Sequence, residues 1–516
     1  MKSTISLWTI AISLLAVLAI PIQIFAQEQT EEEHHAKHHH YKLIDLGTFG
    51  GPQSRADYPV ALNNHGTVAG SADTPHPNPF YGNDNPFFFP DPYIEHAFQW
   101  KDGFLTDLGS LPGGGTSLPN WINERGDVAG QATNSVIDPL TGWPESVAVL
   151  YKDGQVINLG TLGGNESLAT AVNDRDQVVG FAANTIPDPF SPFVTQVRAF
   201  LWQDGVMKDL GTLGTGTDAV ALAMNERGQI VGNSFTNTIA NPVTGSPTSD
   251  PFLWQNGTMI DLGTLGGTSS DTIDGPFVNR RGQVVGSSNL AGDIHFHPFL
   301  WTKPGPMTDL GTLGGNDGQA NSINDASEVV GWATNAGDLA VLAFLWRNGT
   351  MRNLGTVDGD PCSIAWGINS KRQIGGASWD CGANYTHAFL WENGGPSVDL
   401  NTLVPRGSGV QLTVASPNER GEIIAEGLLP NGDNHAFLLI PCDENHGDDE
   451  DCMGNAEEAA AVLQSTPPLN QELIKGARPR LSPEIRLTPE MLTALRPHWR
   501  PCYFALAARH NTTQRK

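Results

Sequence analysis

The sequence predicts an all-β fold, a β-propeller of four-stranded antiparallel blades, on three observations. A version of Asp-Leu-Gly-Thr occurs eight times, beginning at Asp45, Asp107, Asn158, Asp209, Asp261, Asp309, Asn353 and Asp399. Successive copies start 62, 51, 51, 52, 48, 44 and 46 residues apart, a period at which stacked units bury faces that none can bury alone. Between copies, short runs rich in β-branched and aromatic residues alternate with Asn-x-x-Gly and Asn-Gly turn signals, as antiparallel strands require. The 58 glycines against only 16% charged residues suit a turn-rich chain, because glycine adopts positive φ without strain.

The repeat from Thr217 to Leu262 serves as template. Strand A is Ala219 to Met224, followed by a turn at Asn225 to Gly228 and strand B at Gln229 to Gly232. After a loop come strand C, Pro251 to Trp254, the turn Gln255-Asn256-Gly257, and strand D, Met259 to Leu262. The A-B turn opens with Asn in every repeat, at Asn63, Asn123, Asn173, Asn225, Asn279, Asn324, Asn369 and Asn418; its side chain bonds backbone two residues on and so starts a turn. Strand C repeats as triplets such as Phe98-Gln99-Trp100, Val149-Leu150-Tyr151 and Phe344-Leu345-Trp346. By the two-residue period of a strand, the outer members of each triplet share one face and pack between neighbouring sheets. Strand A is rich in small residues, as in Ala169-Thr170-Ala171, which fits crowding around an axis.

Eight A-B turns and eight C strands predict eight blades, with seven as the alternative. The first D strand, Lys42 to Leu46, precedes any A strand, and the eighth C strand, Phe437 to Leu439, has no D strand after it. The N-terminal strand is therefore predicted to complete the last blade and close the ring. An open solenoid is the competing architecture, and it would leave two terminal edges to cap.

Strand C begins in His-Ala-Phe at His96-Ala97-Phe98, His387-Ala388-Phe389 and His435-Ala436-Phe437. In these residues the chain resembles the extracellular repeat proteins of the His-Ala-Phe (HAF) family, over about residues 41–440. The resemblance implies secretion and a repeat fold, and it brings no catalytic residue with it. The other repeats depart from the motif, with Val147, Arg198, Asp250 and Leu342 in place of the His and His297-Pro298-Phe299 in the fifth.

Residues 1–26 read as a signal peptide, with Lys2, an apolar stretch from Leu7 to Ile20 and small Ala26. An uncleaved anchor is the alternative, which Pro21 and Gln23 interrupt. Residues 27–40 form an acidic, His-rich linker, 41–440 the propeller, and 441–516 an acidic loop with a tail of short helices. The expected location is outside the cell or in the periplasm, with no membrane contact after cleavage. A formal charge of -26, from 55 acidic and 29 basic residues, argues against a nucleic-acid partner, whose phosphates demand clustered cations. Cys362 with Cys381, and Cys442 with Cys452, are candidate disulfides, leaving Cys502 over.

Alternating strand directions put the A-B and C-D turns on one face and the B-C loops on the other. The B-C loops are long in the first four repeats, at 71–95, 131–145, 181–197 and 233–250, and short in the rest. Long loops on a rigid scaffold carry binding residues more often than connections do. The first three hold the candidate binding aromatics Phe80, Tyr81, Phe87, Phe88, Phe89, Tyr93, Trp143, Phe190 and Phe193, which suit a protein or carbohydrate ligand. The competing reading folds the same rings over the blades as satellite cores.

No catalytic set emerges: the recurring Asp comes once per blade and does not converge, and no phosphate loop, His-Glu-x-x-His or paired Cys-x-x-Cys is present. The His-rich tract at 31–40 and the acidic run Asp443 to Asp451 read as solvated segments, so neither a metal nor a cofactor is expected. The function expected is a secreted, non-catalytic repeat scaffold that binds a protein or carbohydrate through its long-loop face. A polysaccharide hydrolase or lyase, and a structural or adhesive matrix component, are the alternatives.

Overall fold

A computed structural model describes residues 38–442 except 57–59, 83–84, 86–87, 89, 192, 242–244, 272–277 and 383–384. The expected signal peptide, most of the His-rich tract, the acidic loop, Cys452, Cys502 and the tail helices lie outside the described residues. Among the described residues the fold is all-β, its one helical turn being the 3-10 turn Leu400–Thr402. The strands form seven sheets, six of four strands and one of eight.

The template repeat has strands at Ala219–Met224, Ile230–Phe235, Ser249–Gln255 and Thr258–Asp261, each antiparallel to the next. The eight-stranded sheet holds this repeat and the following one, joined by a single parallel bridge between Ser249 and Ser269. A bulge interrupts strand A between Ala221 and Ala223, and the same irregularity falls at Pro119/Trp121, Ala169/Ala171, Ala320/Ser322, Ala365/Gly367 and Leu412/Val414. A bulge bends its strand and re-aims the extra residue. Here that residue reaches the next sheet: Asn120 Nδ2 donates to the Ala169 carbonyl at 2.8 Å, Thr170 Oγ1 to Ala221 at 3.0 Å and Asn321 Nδ2 to Ala365 at 2.9 Å. Strand B answers the bulge with a glycine, since a Cβ on Gly232 would sit 1.9 Å from the Val220 carbonyl oxygen.

Packing between sheets follows from the strand C pattern. Phe98, Phe200, Phe252, Phe299, Phe344, Phe389 and Phe437 are all fully buried. The larger core clusters draw on neighbouring repeats; Ala171, Val179 and Ala199 of the third pack on Ile230, Phe252 and Trp254 of the fourth. One cluster joins the first repeat to the last, with Val68, Phe98 and Trp100 against Ile424, Ala436 and Leu438. The N-terminal strand Tyr41–Asp45 is the outer strand of the last sheet, antiparallel to Asn434–Pro441, with Tyr41 opposite Pro441 and Asp45 opposite Phe437.

The A-B turn asparagines do more than open turns. Asn63 Oδ1 accepts from the amides of His65 at 2.9 Å and Thr67 at 3.0 Å. Its Nδ2 donates to the Asn123 carbonyl of the next repeat at 3.0 Å, and Asn123 donates to Asn173 at 3.1 Å. The series continues from Asn225 to Asn279, Asn279 to Asn324, Asn324 to Asn369, Asn369 to Asn418, and from Asn418 back to Asn63 at 3.0 Å. Asn173 departs, its Nδ2 lying 3.6 Å from Met224 Sδ.

Candidate functional site

The Asp-Leu-Gly-Thr copies and the His of strand C meet in the structure. Each Asp or Asn of the motif accepts the amide two residues on, as Asp45 does from Gly47 at 2.8 Å and Asn158 from Gly160 at 2.8 Å. The same carboxylates face strand C: His96 Nδ1 lies 3.0 Å from Asp107, His297 Nδ1 2.9 Å from Asp309, His435 Nδ1 2.8 Å from Asp45, and Arg198 Nε 3.1 Å from Asp209. Where the motif carries Asn158 or Asn353, the facing position holds apolar Val147 or Leu342. The pairs are thus a structural charge match repeated from sheet to sheet. Two repeats depart: His387 Nδ1 turns to Asp360 at 2.8 Å, and Asp250 faces Asp261, where burial and then the neighbouring carboxylate push Asp250 up to about 7.

The long B-C loops share one plan. Asn78, Asp138 and Asp188 each precede a proline and accept the amide two residues on, from Phe80 at 2.9 Å, Leu140 at 2.8 Å and Phe190 at 2.7 Å. Their own amides close the loop necks on Pro92, Trp143 and Val194. The loops are shorter than their sequence bounds, because strand B runs on to Pro77, Ile137 and Pro187 in the first three repeats. These extensions pair again with the following strand at Tyr93, Pro144 and Thr195.

The loop aromatics divide into two groups. Phe88, Trp143 and Phe193 are buried, and Phe193 packs with Leu168, Phe181 and Val197 as a small satellite core. For these three rings the satellite-core reading describes the structure. Phe80 and Tyr81 are exposed at 38% and 56%, whereas Tyr93 and Phe190 are half-buried. Phe87 and Phe89 lie outside the described residues. Cys362 and Cys381 are joined in a disulfide with Cα atoms 5.2 Å apart; Cys442 is disulfide-bonded too.

Two clefts open on this face. The first, of about 180 Å³, is lined by Phe80, Phe88 and Tyr93, by Asn78, Asp91 and Glu95, and by Gly113 to Gly115 of the crossover into the second repeat. Three of the candidate aromatics thereby converge. At its base Arg55 Nη2 pairs with Asp91 at 3.1 Å, and Ser71 Oγ donates to Glu95 at 2.6 Å. Asp73 accepts the Gln53 amide at 3.1 Å. Burial, then the Asp91 and Glu95 charges, push the Asp73 carboxyl far up, and burial pushes Glu95 up against the pull of Arg55. None of these buried acids was singled out from sequence; the loop patterns hold only scattered Asp and Glu, and their convergence is tertiary.

The second cleft, of about 230 Å³, is lined by Asp138, Leu140, Asn165, Glu166, Thr185 and Phe193 among others. Glu166 Oε2 accepts from the Ser146 amide at 2.9 Å and from Asn85 Nδ2 at 3.0 Å. Asn85 also donates to the Pro144 carbonyl at 3.2 Å, tying the first long loop to the second repeat. Burial pushes Glu166 up to about 9, with Asp138 and Glu145 adding repulsion.

No family model matches the chain. No curated protein matches it either. Among solved structures, the dipeptidyl peptidase 4 of Porphyromonas gingivalis aligns with 71% of this chain and 56% of its own, at 10% identity and a TM-score of 0.39. TolB from Acinetobacter baumannii aligns with 58% of this chain and 76% of its own, at 12% identity and 0.28. The sialidase of Trypanosoma rangeli, in complex with the inhibitor DANA, aligns with 75% and 55%, at 9% identity and 0.30. The chain spans little more than half the length of the peptidase and of the sialidase.

Proposed function

We propose that the chain is a secreted, non-catalytic scaffold that grips a protein or carbohydrate partner with its long-loop face, and that its sheets close into a ring of eight four-stranded blades. The reading rests chiefly on the first cleft, where Phe80, Phe88 and Tyr93 of one long loop converge beside polar Asn78. A concave, mostly apolar pocket with a few convergent polar groups is the usual form of a binding site. The terminal strand in the last sheet and the asparagine bonds that return from Asn418 to Asn63 support closure. Against catalysis, the repeated Asp-His pairs are committed to structural bonds within their own sheets.

The test replaces residues 78–92 with a two-residue turn in the full-length secreted protein and screens wild type and variant on glycan and peptide arrays. Wild type should retain at least one ligand that the variant loses while the variant stays folded by circular dichroism; its thermal midpoint should fall somewhat, because the deletion removes the buried contacts of Asn85, Phe88 and Asp91. Equal binding by both proteins would move the site off this face.

A further inference from the structure

The first cleft has walls of one chemistry and a base of another. Phe80, Phe88 and Tyr93 present aromatic rings, and Asp91 and Glu95 present carboxylates to the same space. The acids form a set: Asp73, Asp91, Glu95 and Glu426 all act on the Arg55 guanidinium. Burial is the first cause that raises both Asp73 and Glu95, the Asp91 charge adds to it, and Arg55 opposes it; a second cation beside Glu95 would act as Arg55 does and favour its ionised form.

Among the described residues, the cleft lining holds one buried carboxylate oxygen without a donor. Glu95, 3% exposed and lining the cleft, uses Oε1 for the Ser71 hydroxyl at 2.6 Å and for Arg55 Nη1 at 4.0 Å; no bond among the described residues reaches its Oε2. Buried polar groups are ordinarily satisfied, and one left open inside a cleft marks a place for a donor. The donor that suits both surfaces is a cation, because aromatic faces attract positive charge through their quadrupole and carboxylates attract it directly.

We propose that this cleft, between the first and second repeats, is a receptor for an ammonium group on an alkyl stem, as a lysine side chain presents it, with Glu95 and Asp91 as counter-charges and Phe80, Phe88 and Tyr93 as the surrounding cage. The volume of about 180 Å³ lies below the roughly 300–1,000 Å³ of drug-sized pockets, so the cleft takes one side chain and not a folded ligand. This inference rests on the long-loop face being the binding face, and it specifies the chemistry of the partner there. Phe80, 38% exposed, is the part of the cage that a ligand meets first.

The experiment titrates the full-length protein with N-acetyl-lysine amide, with choline, and with N-acetyl-norleucine amide as the uncharged match to lysine, followed by calorimetry and ligand-observed NMR. The lysine probe should bind at least tenfold more tightly than the norleucine probe. Phe80→Ala and Glu95→Gln should each weaken lysine binding at least tenfold; Phe80→Ala, at an exposed loop position, should keep the wild-type thermal midpoint. Lysine binding tighter than choline binding assigns a peptide source, and the reverse order assigns a free quaternary amine; either supports an ammonium receptor. Equal binding of lysine and norleucine, no binding of either cation, or an unchanged affinity in folded Phe80→Ala would overturn it. If array ligands still depend on residues 78–92 while no cation binds, the ammonium assignment fails and the long-loop reading stands.

Discussion

Glu166 shows how much one buried oxygen pair governs. It is buried, and burial holds its proton up to about 9 in the fold against 4.5 ordinarily. A value raised on folding means that the folded chain keeps a proton which the unfolded chain releases. The associated stability is complete below about pH 4.5 and falls away as pH rises toward 9. Neutral pH lies about 2.5 units above the ordinary value of 4.5, and each unit is worth about 1.4 kcal/mol. Glu166→Gln keeps a carbonyl for the Ser146 amide and Asn85 and needs no proton. It should raise stability by on the order of 3 kcal/mol at pH 7 and by nothing near pH 4. Urea unfolding at the two pH values checks this, and an equal effect at both would show that Glu166 is ionised in the fold.

Strands and turns were largely legible in the residues. The A, B, C and D runs of the template repeat match the observed strands to within a few positions, because period-two alternation and Asn or Gly turn chemistry are local signals. The bulge in strand A was not legible, since an added residue there leaves the small-residue pattern intact. Nor was the second bond of each turn asparagine, which is made to a residue about fifty positions away. In the loops, composition named the aromatics but not their direction: Phe80 and Trp143 sit in similar Pro-rich surroundings, yet one is exposed and the other buried. The bulge also explains the strand B glycine and makes it testable. Gly232→Ala should cost about 1–3 kcal/mol or more, because its Cβ would meet the Val220 carbonyl at 1.9 Å. Gly257→Ala in the C-D turn meets nothing within 4 Å and should cost only the strain of its positive φ, about 1–2 kcal/mol. Chemical denaturation of the pair decides it, and equal costs would mean that the bulge relaxes.

At the scale of the molecule, the strand Tyr41–Asp45 is the largest lever. Tyr41 is fully buried, and Leu43 packs on the same cluster as Phe437 and Leu439. Removing residues 41–45 strips one strand from the last sheet and uncovers those side chains, each worth roughly 1.5–3 kcal/mol when buried. The deletion should lower the thermal midpoint of the whole protein, not of one sheet alone, if the repeats are coupled around a ring. A calorimetric trace in which only a small separate transition moves would contradict closure.

The same strand orders events in time. Every other strand pairing lies within a stretch of a few dozen residues, whereas the last sheet needs Asp45 to meet Phe437. Contacts so distant in sequence form slowly, after local hairpins have already been made. A chain emerging from its N-terminus therefore carries an unpaired Tyr41–Asp45 strand until residue 441 is available. Its open edge is a template for pairing with other chains throughout that interval. Delayed synthesis or premature truncation before residue 434 should thus lead to aggregation and not to a smaller soluble protein.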